Sequence, residues 1–373
     1  MDGSASTLAL VMSTHVAWLD SLDPWPQDGF GLERMRALLA ELGDPQDALP
    51  AVHVVGTNGK STATITIEQL LLADGLSVGA TISPHVTGWS ERIRVDGVEV
   101  DVEEAVARVR PAAERLGATQ FEIVTAAALA AFADAGIDVA VVEAGLGGRL
   151  DATNVLRTRV VLLTNVALEH TDVLGDTVEA IAREKLAVAR KDSVVVLPDA
   201  TYAGLVQGRE IVIGGAHEAA EAFVGHPLER IPEVVLPGRF ERLGAEIRDG
   251  AHNPDGVRFL VERLRGSELQ GDFTIVVSIL ADKDADAMLR VLRSVGSRLV
   301  ATRSSSARAL AAEDVAEVAR ARFEWVEAVD DPVEAVARAH ELGEPVLVTG
   351  SLYLLGDLAA GERQGERRAT WRS

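Results

Sequence analysis

Seven consecutive residues, Gly56-Thr57-Asn58-Gly59-Lys60-Ser61-Thr62, carry the clearest chemistry in the chain. Glycines let backbone N–H groups turn toward phosphate oxygens, a lysine reaches the outer phosphates, and a serine or threonine hydroxyl can hold Mg2+. The stretch follows the apolar run Val52-His53-Val54-Val55 and precedes a helical pattern. It therefore stands at a helix N-terminus, where the dipole favours anions. The usual eight-residue form of this loop has glycine at its first position, here Val54, so the loop is a variant. A plain glycine turn is the competing reading, and the strand before it argues against that.

Other chemistry-bearing groups recur at the ends of apolar runs. Glu143 closes Val139-Ala140-Val141-Val142, at the edge where α/β sheets place ligands, and a carboxylate there suits Mg2+. A strand-end glutamate capping the next turn is an equal reading of that residue alone. His170 follows the run Val160 to Leu163 and could touch metal or phosphate, although a solvated loop histidine is commoner. The same holds for Ser83 and His85 in Ser83-Pro84-His85. Lys185 falls on a helical pattern, where a surface lysine is the ordinary case. Further on, Pro237-Gly238-Arg239 precedes Asp249-Gly250-Ala251-His252-Asn253-Pro254, which gathers a carboxylate, an imidazole and an amide at a helix start. The plain alternative is a capped helix with Asp249 as the cap. Lys283 and the Ser351-Leu352-Tyr353 segment also follow apolar runs and read individually as turn chemistry.

Composition limits the function classes. The chain has 373 residues, enough for two domains, is 47% hydrophobic, and carries a net charge of −21. No basic surface for nucleic acid is expected. No apolar stretch approaches the ~18 residues of a membrane span, and the N-terminus has no basic start of a signal peptide. There is no cysteine, which excludes disulfides and thiolate chemistry and fits a cytoplasmic protein. Only four lysines occur, Lys60, Lys185, Lys191 and Lys283, against 32 arginines. Where arginine is used so freely, a retained lysine can mark a need for an amine.

The elements that must position these groups are those of a parallel sheet wrapped by helices. An amphipathic helix is expected over residues 29 to 43, a strand at Val52 to Val55, and a helix from near Ser61 to Gly75. Strands follow at Val139 to Val142 and Val160 to Leu163. The pattern weakens between 204 and 236. Strands recur at Thr274–Ile279, Arg298–Thr302, Trp325–Val329 and Val346–Thr349. The fold class is α/β, with a boundary near Pro237-Gly238 separating domains 1–236 and 237–373. The arginine-rich end from Gly361 reads as a frayed tail.

Taken in order, the motifs resemble the folylpolyglutamate synthase and dihydrofolate synthase family of the Mur ligase group. The most specific stretches are Gly56 to Thr62, Ser83-Pro84-His85 with Glu91-Arg92-Ile93, Glu143 to Asn154, and Asp249 to Pro254. The resemblance implies an N-terminal Mg-ATPase domain with a P-loop and a smaller C-terminal Rossmann-like domain, closing on ATP. ATP would phosphorylate a folate-type carboxylate (dihydropteroate, tetrahydrofolate or both), and the L-glutamate amine would attack the acyl phosphate. Gly56, Thr57, Asn58, Gly59, Lys60, Ser61 and Thr62 would bind ATP, with Arg239, Asp249 and His252. Ser61 or Thr62, Ser83, Glu143, His170 and a carbamylated Lys185 would surround two Mg2+ ions; Lys60, Glu143, His170 and Lys185 would be catalytic. Phe121 and Asp151 would bind the pterin ring, and Ser83, His85, Lys283, Ser351 and Tyr353 would complete the substrate site. A monomer without nucleic-acid or membrane partners is expected.

The sequence departs from the family at three places. Lys60-Ser61-Thr62 stands where Lys-Gly-Ser is usual, Glu169 where aspartate is usual, and the segment from 200 to 236 is short. That segment would normally contact the nucleotide, and Gly215 to Ala220 reads as its remnant. Two alternatives stay open: a Mur-type ligase for a different acid or amino acid, and an ATP-binding protein without ligase turnover.

Overall fold

The computed structural model describes residues 14–26, 29–231 and 233–370. The chain divides into two compact units between Val234 and Val235.

The first unit is built on an eight-stranded sheet. Its strands are β1 (Pro50–Val55), β2 (Val78–Thr81), β3 (Ile93–Val95), β4 (Val98–Glu99), β5 (Val139–Glu143), β6 (Arg157–Leu163), β7 (Val194–Leu197) and β8 (Ile211–Ile213). Their spatial order is β4-β3-β2-β5-β1-β6-β7-β8. All pairings are parallel except those of β3 with β2 and β4 at one edge. β1 and β5 are buried along almost their whole length, which is why they read as unbroken apolar runs. β1 leads through the helix Lys60–Ala73 to β2, beyond β5, while β6 lies on the opposite side of β1. The ends of β1, β5 and β6 thus flank the crevice where such sheets take ligands.

Local signals explain the helices that cover this sheet. The helix Gln120–Ala135 opens on a reciprocal cap. The Thr119 N–H donates to Glu122 Oε2 at 2.8 Å and the Glu122 N–H to Thr119 Oγ1 at 3.4 Å. Its Ile123, Leu129 and Phe132 are fully buried in a core shared with Val106, Met35 and Leu38. The expected helix over 29 to 43 forms as Glu33–Glu41. The segment from 204 to 236 is more ordered than its pattern suggests. It holds β8 and the helix Ala216–Val224, which packs on Lys60–Ala73. β8 has three residues at a sheet edge, too few to show a periodicity.

The second unit has a six-stranded sheet: β9 (Glu241–Leu243), β10 (Glu246–Arg248), β11 (Thr274–Val277), β12 (Arg298–Ala301), β13 (Trp325–Ala328) and β14 (Val346–Thr349). The order is β13-β12-β11-β14-β10-β9, parallel apart from β9. The C-terminal end corrects the sequence expectation. Residues 361–370 are not a frayed tail but continue the helix Leu352–Thr370. Arg248, nearly buried on β10, donates to Glu362 Oε1 at 2.7 Å, a long-range tie invisible to local composition. Residues 371–373 lie outside the described residues. Among the described residues no helix is long and apolar enough to cross a membrane.

Candidate active site

The phosphate loop leaves β1 and is held from the side by the segment after β6. The Thr57 N–H donates to the Asn165 carbonyl at 3.0 Å, and the Asn58 N–H to Asn165 Oδ1 at 2.7 Å. Thr164 Oγ1 donates to the Asn58 carbonyl at 2.8 Å, and the Ala167 N–H to Thr57 Oγ1 at 3.1 Å. The helix that follows opens at Lys60, and Lys60 Nζ folds back on the Thr57 carbonyl at 3.2 Å. Ser61 is buried, whereas Thr62 lines a cleft with Thr66, His217 and Arg230. Sequence reasoning missed Thr164 and Asn165 as supports of the loop. Their signal was the pair of polar residues directly after an apolar strand.

Lys185 is no surface lysine. It lies on the helix Val178–Leu186, is only 4% exposed, and donates from Nζ to the Gly56 carbonyl at 2.7 Å. Burial pushes its pKa down to about 7, with the Lys60 charge adding to the shift and Glu169 and Asp151 opposing it. The loop after β5 grips the same helix. The Arg149 N–H donates to the Glu184 carbonyl at 3.1 Å, and a Cβ on Gly148 would stand 2.5 Å from the Lys185 carbonyl. Only glycine permits that approach.

Glu143 ends β5 as expected, buried, with its Oε2 accepting from the Ser83 N–H at 3.0 Å. His170 has a left-handed backbone, a half-exposed ring and an ion-pair distance of 3.6 Å to Glu169. Among the described residues no three His, Asp or Glu side chains gather into a metal cage. His85 Nδ1 accepts from Arg92 Nε at 2.9 Å, and burial, helped by the Arg92 charge, holds its pKa down at about 3. Buried Glu91 accepts from the backbone of Val86 and Gly88 at 3.0 and 3.2 Å and from Thr87, tying down the loop that carries His85. Arg92 and Glu91 were noted only as motif letters; the structure gives them this supporting part.

Phe121 and Asp151 come together on one cleft, lined also by Trp25, Phe30 and Leu150. The Phe121 ring lies against Gly145, where a Cβ would stand 2.6 Å from its Cζ. Trp25 and Phe30 meet edge to face at 6.0 Å. These two aromatics went unnoticed in the sequence because they sit in an aperiodic, proline- and glycine-rich stretch. Asp151 is buried; its Oδ2 accepts from the Leu146 N–H at 2.7 Å and its Oδ1 from the Thr153 N–H at 3.0 Å. Burial raises its pKa, while those donors oppose the shift.

In the second unit the candidate residues share the C-terminal edge of the sheet. Asp249 follows β10, Ser351 follows β14, and Lys283 lies in the loop after β11, three adjacent strands. The Gly350 N–H donates to the Ala251 carbonyl at 3.0 Å, joining two of these loops. Asp249 is not the helix cap. Its oxygens accept from the Phe240 N–H at 2.8 Å and the Ala251 N–H at 2.9 Å, and the cap is Asn253, which accepts from the Gly256 N–H at 2.7 Å. Pro254 at the first helical position sets that start. Burial raises the Asp249 pKa against the opposing charge of Arg239. His252 Nδ1 lies 2.8 Å from the Gly250 carbonyl. Lys283 pairs with Asp282 at 3.1 Å. Ser351 Oγ accepts from the Tyr353 N–H at 3.1 Å, and the Tyr353 ring is half exposed.

Residues 54–209 match the Mur ligase middle domain, and residues 238–352 match the Mur ligase glutamate ligase domain. A dihydrofolate synthase/folylpolyglutamate synthase of Mycobacterium tuberculosis is 32% identical over 391 aligned positions, covering 80% of this chain and 80% of that one. The structure of Escherichia coli FolC in complex with DHPP and ADP is similar with a TM-score of 0.85 at 28% identity, covering 96% of this chain and 98% of that one. A Yersinia pestis bifunctional folylpolyglutamate synthase/dihydrofolate synthase complexed with AMPPNP and Mn ion gives 0.83 at 29% identity, covering 94% and 98%. With both domains matched in order and the relatives spanning most of its length, the chain belongs to the dihydrofolate synthase/folylpolyglutamate synthase family of ATP-dependent Mur-type ligases.

Proposed function

We propose that the chain joins L-glutamate to a folate-type acid, dihydropteroate, tetrahydrofolate or both, through an acyl phosphate. A carboxylate oxygen of the acid attacks the γ-phosphorus of ATP and ADP leaves. The glutamate amine then attacks the acyl carbon, loses a proton, and the tetrahedral intermediate collapses with expulsion of phosphate. The observation that carries this reading is the buried Lys185 amine bonded to the first glycine carbonyl of the phosphate loop. A protein that merely holds a nucleotide gains nothing from burying an amine there.

Gly56, Thr57, Asn58, Gly59 and Lys60 are assigned to the ATP phosphates, and Arg239, Asp249 and His252 to ATP contacts from the second unit. Lys60 counters charge that develops on the transferring phosphoryl group. Ser61 or Thr62, Ser83, Glu143 and His170 would hold two Mg2+ ions. A buried carboxylate and hydroxyls, without a closed cage, suit an ion that keeps part of its coordination for water and phosphate oxygens. When bound, Mg2+ neutralises phosphate charge. An amine with a pKa near 7 is largely neutral at slightly alkaline pH and can add CO2, so Lys185 as a carbamate would orient the metal. Phe121 offers an aromatic face and Asp151 a carboxylate to the acid's ring, and Ser83 and His85 are assigned to further substrate contacts. Lys283, Ser351 and Tyr353 are assigned to the remaining substrate contacts. Residues 1–236 would act as the Mg-ATPase domain and 237–373 as the glutamate-ligase domain.

ADP release measured with dihydropteroate, tetrahydrofolate and UDP-muramyl acids, each with and without L-glutamate, tests this. Stimulation by a pteroate-type acid, coupled to glutamate, is expected. Stimulation only by another acid, or by none, overturns it.

A further inference from the structure

His53 is an anomaly of β1. It lies between Val52 and Val54 on the central strand, is fully buried, and takes no part in the phosphate loop. Its Nε2 is 2.8 Å from Thr153 Oγ1, and Thr153 Oγ1 in turn is hydrogen-bonded to Asp151 Oδ1. A threonine hydroxyl has one proton to give. Asp151 already accepts from the Leu146 and Thr153 N–H groups, so it acts as the acceptor of the Thr153 hydroxyl as well. Thr153 Oγ1 must then accept from His53, which fixes the Nε2–H tautomer. Burial, with the Arg190 charge adding to it, holds the imidazole neutral with a pKa of about 3. His53 Nδ1 is left buried with no hydrogen-bond partner. A buried polar atom of that kind carries a desolvation penalty that no hydrogen bond repays, and a valine would fill a parallel strand without that cost.

We propose that His53 is a positioning residue for the acid substrate, acting through the Thr153 hydroxyl on the Asp151 carboxylate that lines the Phe121 cleft. The proposal rests on the reading of Asp151 as a ring-binding group. The direction of the carboxylate is set from behind, by the strand, before any ligand arrives. Pre-orientation of this kind lowers the ordering cost of binding and affects the group it orients, leaving the phosphate loop alone. His53 shares β1 with that loop, so a merely structural part would disturb ATP and acid together.

Steady-state constants for dihydropteroate, ATP and glutamate, with melting temperatures, are measured for Thr153→Val, Thr153→Ser, His53→Leu, His53→Gln and Asp151→Asn. Thr153→Val and His53→Leu are expected to raise the KM for dihydropteroate on the order of tenfold, with kcat and the KM for ATP within twofold. Thr153→Ser and His53→Gln, which keep the hydroxyl and a side-chain N–H, restore most of the loss. Equal changes in all constants, or an unchanged dihydropteroate KM in Thr153→Val while Asp151→Asn raises it, overturns the proposal. An unchanged dihydropteroate KM in Asp151→Asn overturns the reading of Asp151 beneath it. If His53→Leu does not fold, the Thr153 pair decides the outcome alone.

Discussion

Lys185 Nζ donates to the carbonyl of Gly56 at 2.7 Å, joining a helix 129 positions away to the first residue of the phosphate loop. Arginine would place a larger, permanently charged group in this buried space and cannot form a carbamate. Lys185→Arg is expected to reduce ADP release at least a hundredfold while leaving the far-ultraviolet circular dichroism unchanged. Near-normal turnover would remove the carbamate from the mechanism.

The same amine predicts a pH dependence of stability. In bicarbonate-free buffer its folded pKa of about 7 lies below the ordinary 10.5. Between those values the unfolded chain binds the extra proton, so stability rises with pH across that window. The cost of burying the charged amine is full below pH 7 and fades toward 10.5. Lys185→Met is therefore expected to melt higher than the parent at pH 6.5, with the difference shrinking as the pH approaches 10. A difference independent of pH would contradict the shifted pKa.

Gly148 lies against the backbone of that helix. A methyl group there would meet the Lys185 carbonyl at 2.5 Å and the Glu184 carbonyl at 2.8 Å. Backbone atoms cannot swing aside, so Gly148→Ala is expected to cost about 1–3 kcal/mol, the usual range for overpacking. Chemical denaturation measures the loss, and turnover should fall with it because the Lys185 helix must shift. An unchanged midpoint and rate would show that the loop yields instead.

Gly145 makes a different prediction because its neighbour is a side chain. A methyl group would press the Phe121 ring at 2.6 Å, and a ring can rotate. Gly145→Ala is expected to raise the KM for the aromatic acid several-fold with a small change in melting temperature. The KM for ATP should stay put, since the phosphate loop is held by Asn165.

Asn165 accepts from the Asn58 N–H through Oδ1 and from the Thr57 N–H through its carbonyl. Asn165→Ala removes the first bond and leaves the second. One lost hydrogen bond to a partly buried N–H is worth about 1–2 kcal/mol. Isothermal titration with ADP should show a comparable weakening, roughly five- to thirtyfold.

Several of the strands that position the candidate residues were legible because buried parallel strands need continuous apolar runs. β1, β5, β6, β11, β12 and β14 all announce themselves in this way. β8, β9 and β10 did not, since each has only three residues; β9 pairs with the adjoining β10, and β10 takes its parallel partner β14 from far along the chain, Glu246 opposite Val346. The helix through residues 361–370 was misread for a similar reason: Arg248 holds it from another strand.

From the sequence by itself came the phosphate loop, the polar residues that end each strand, and the domain order, because glycine spacing and apolar runs are local properties. Tertiary structure alone decided which of those residues are buried and what they touch. Lys185, on its helical pattern alone, read as an ordinary surface lysine until the loops at Gly56 and Gly148 closed against it, and His53 passed as part of an apolar run until Thr153 and Asp151 came beside it. Burial and long-range hydrogen bonds depend on chain segments a hundred residues apart, and these set the charge state and aim of a side chain.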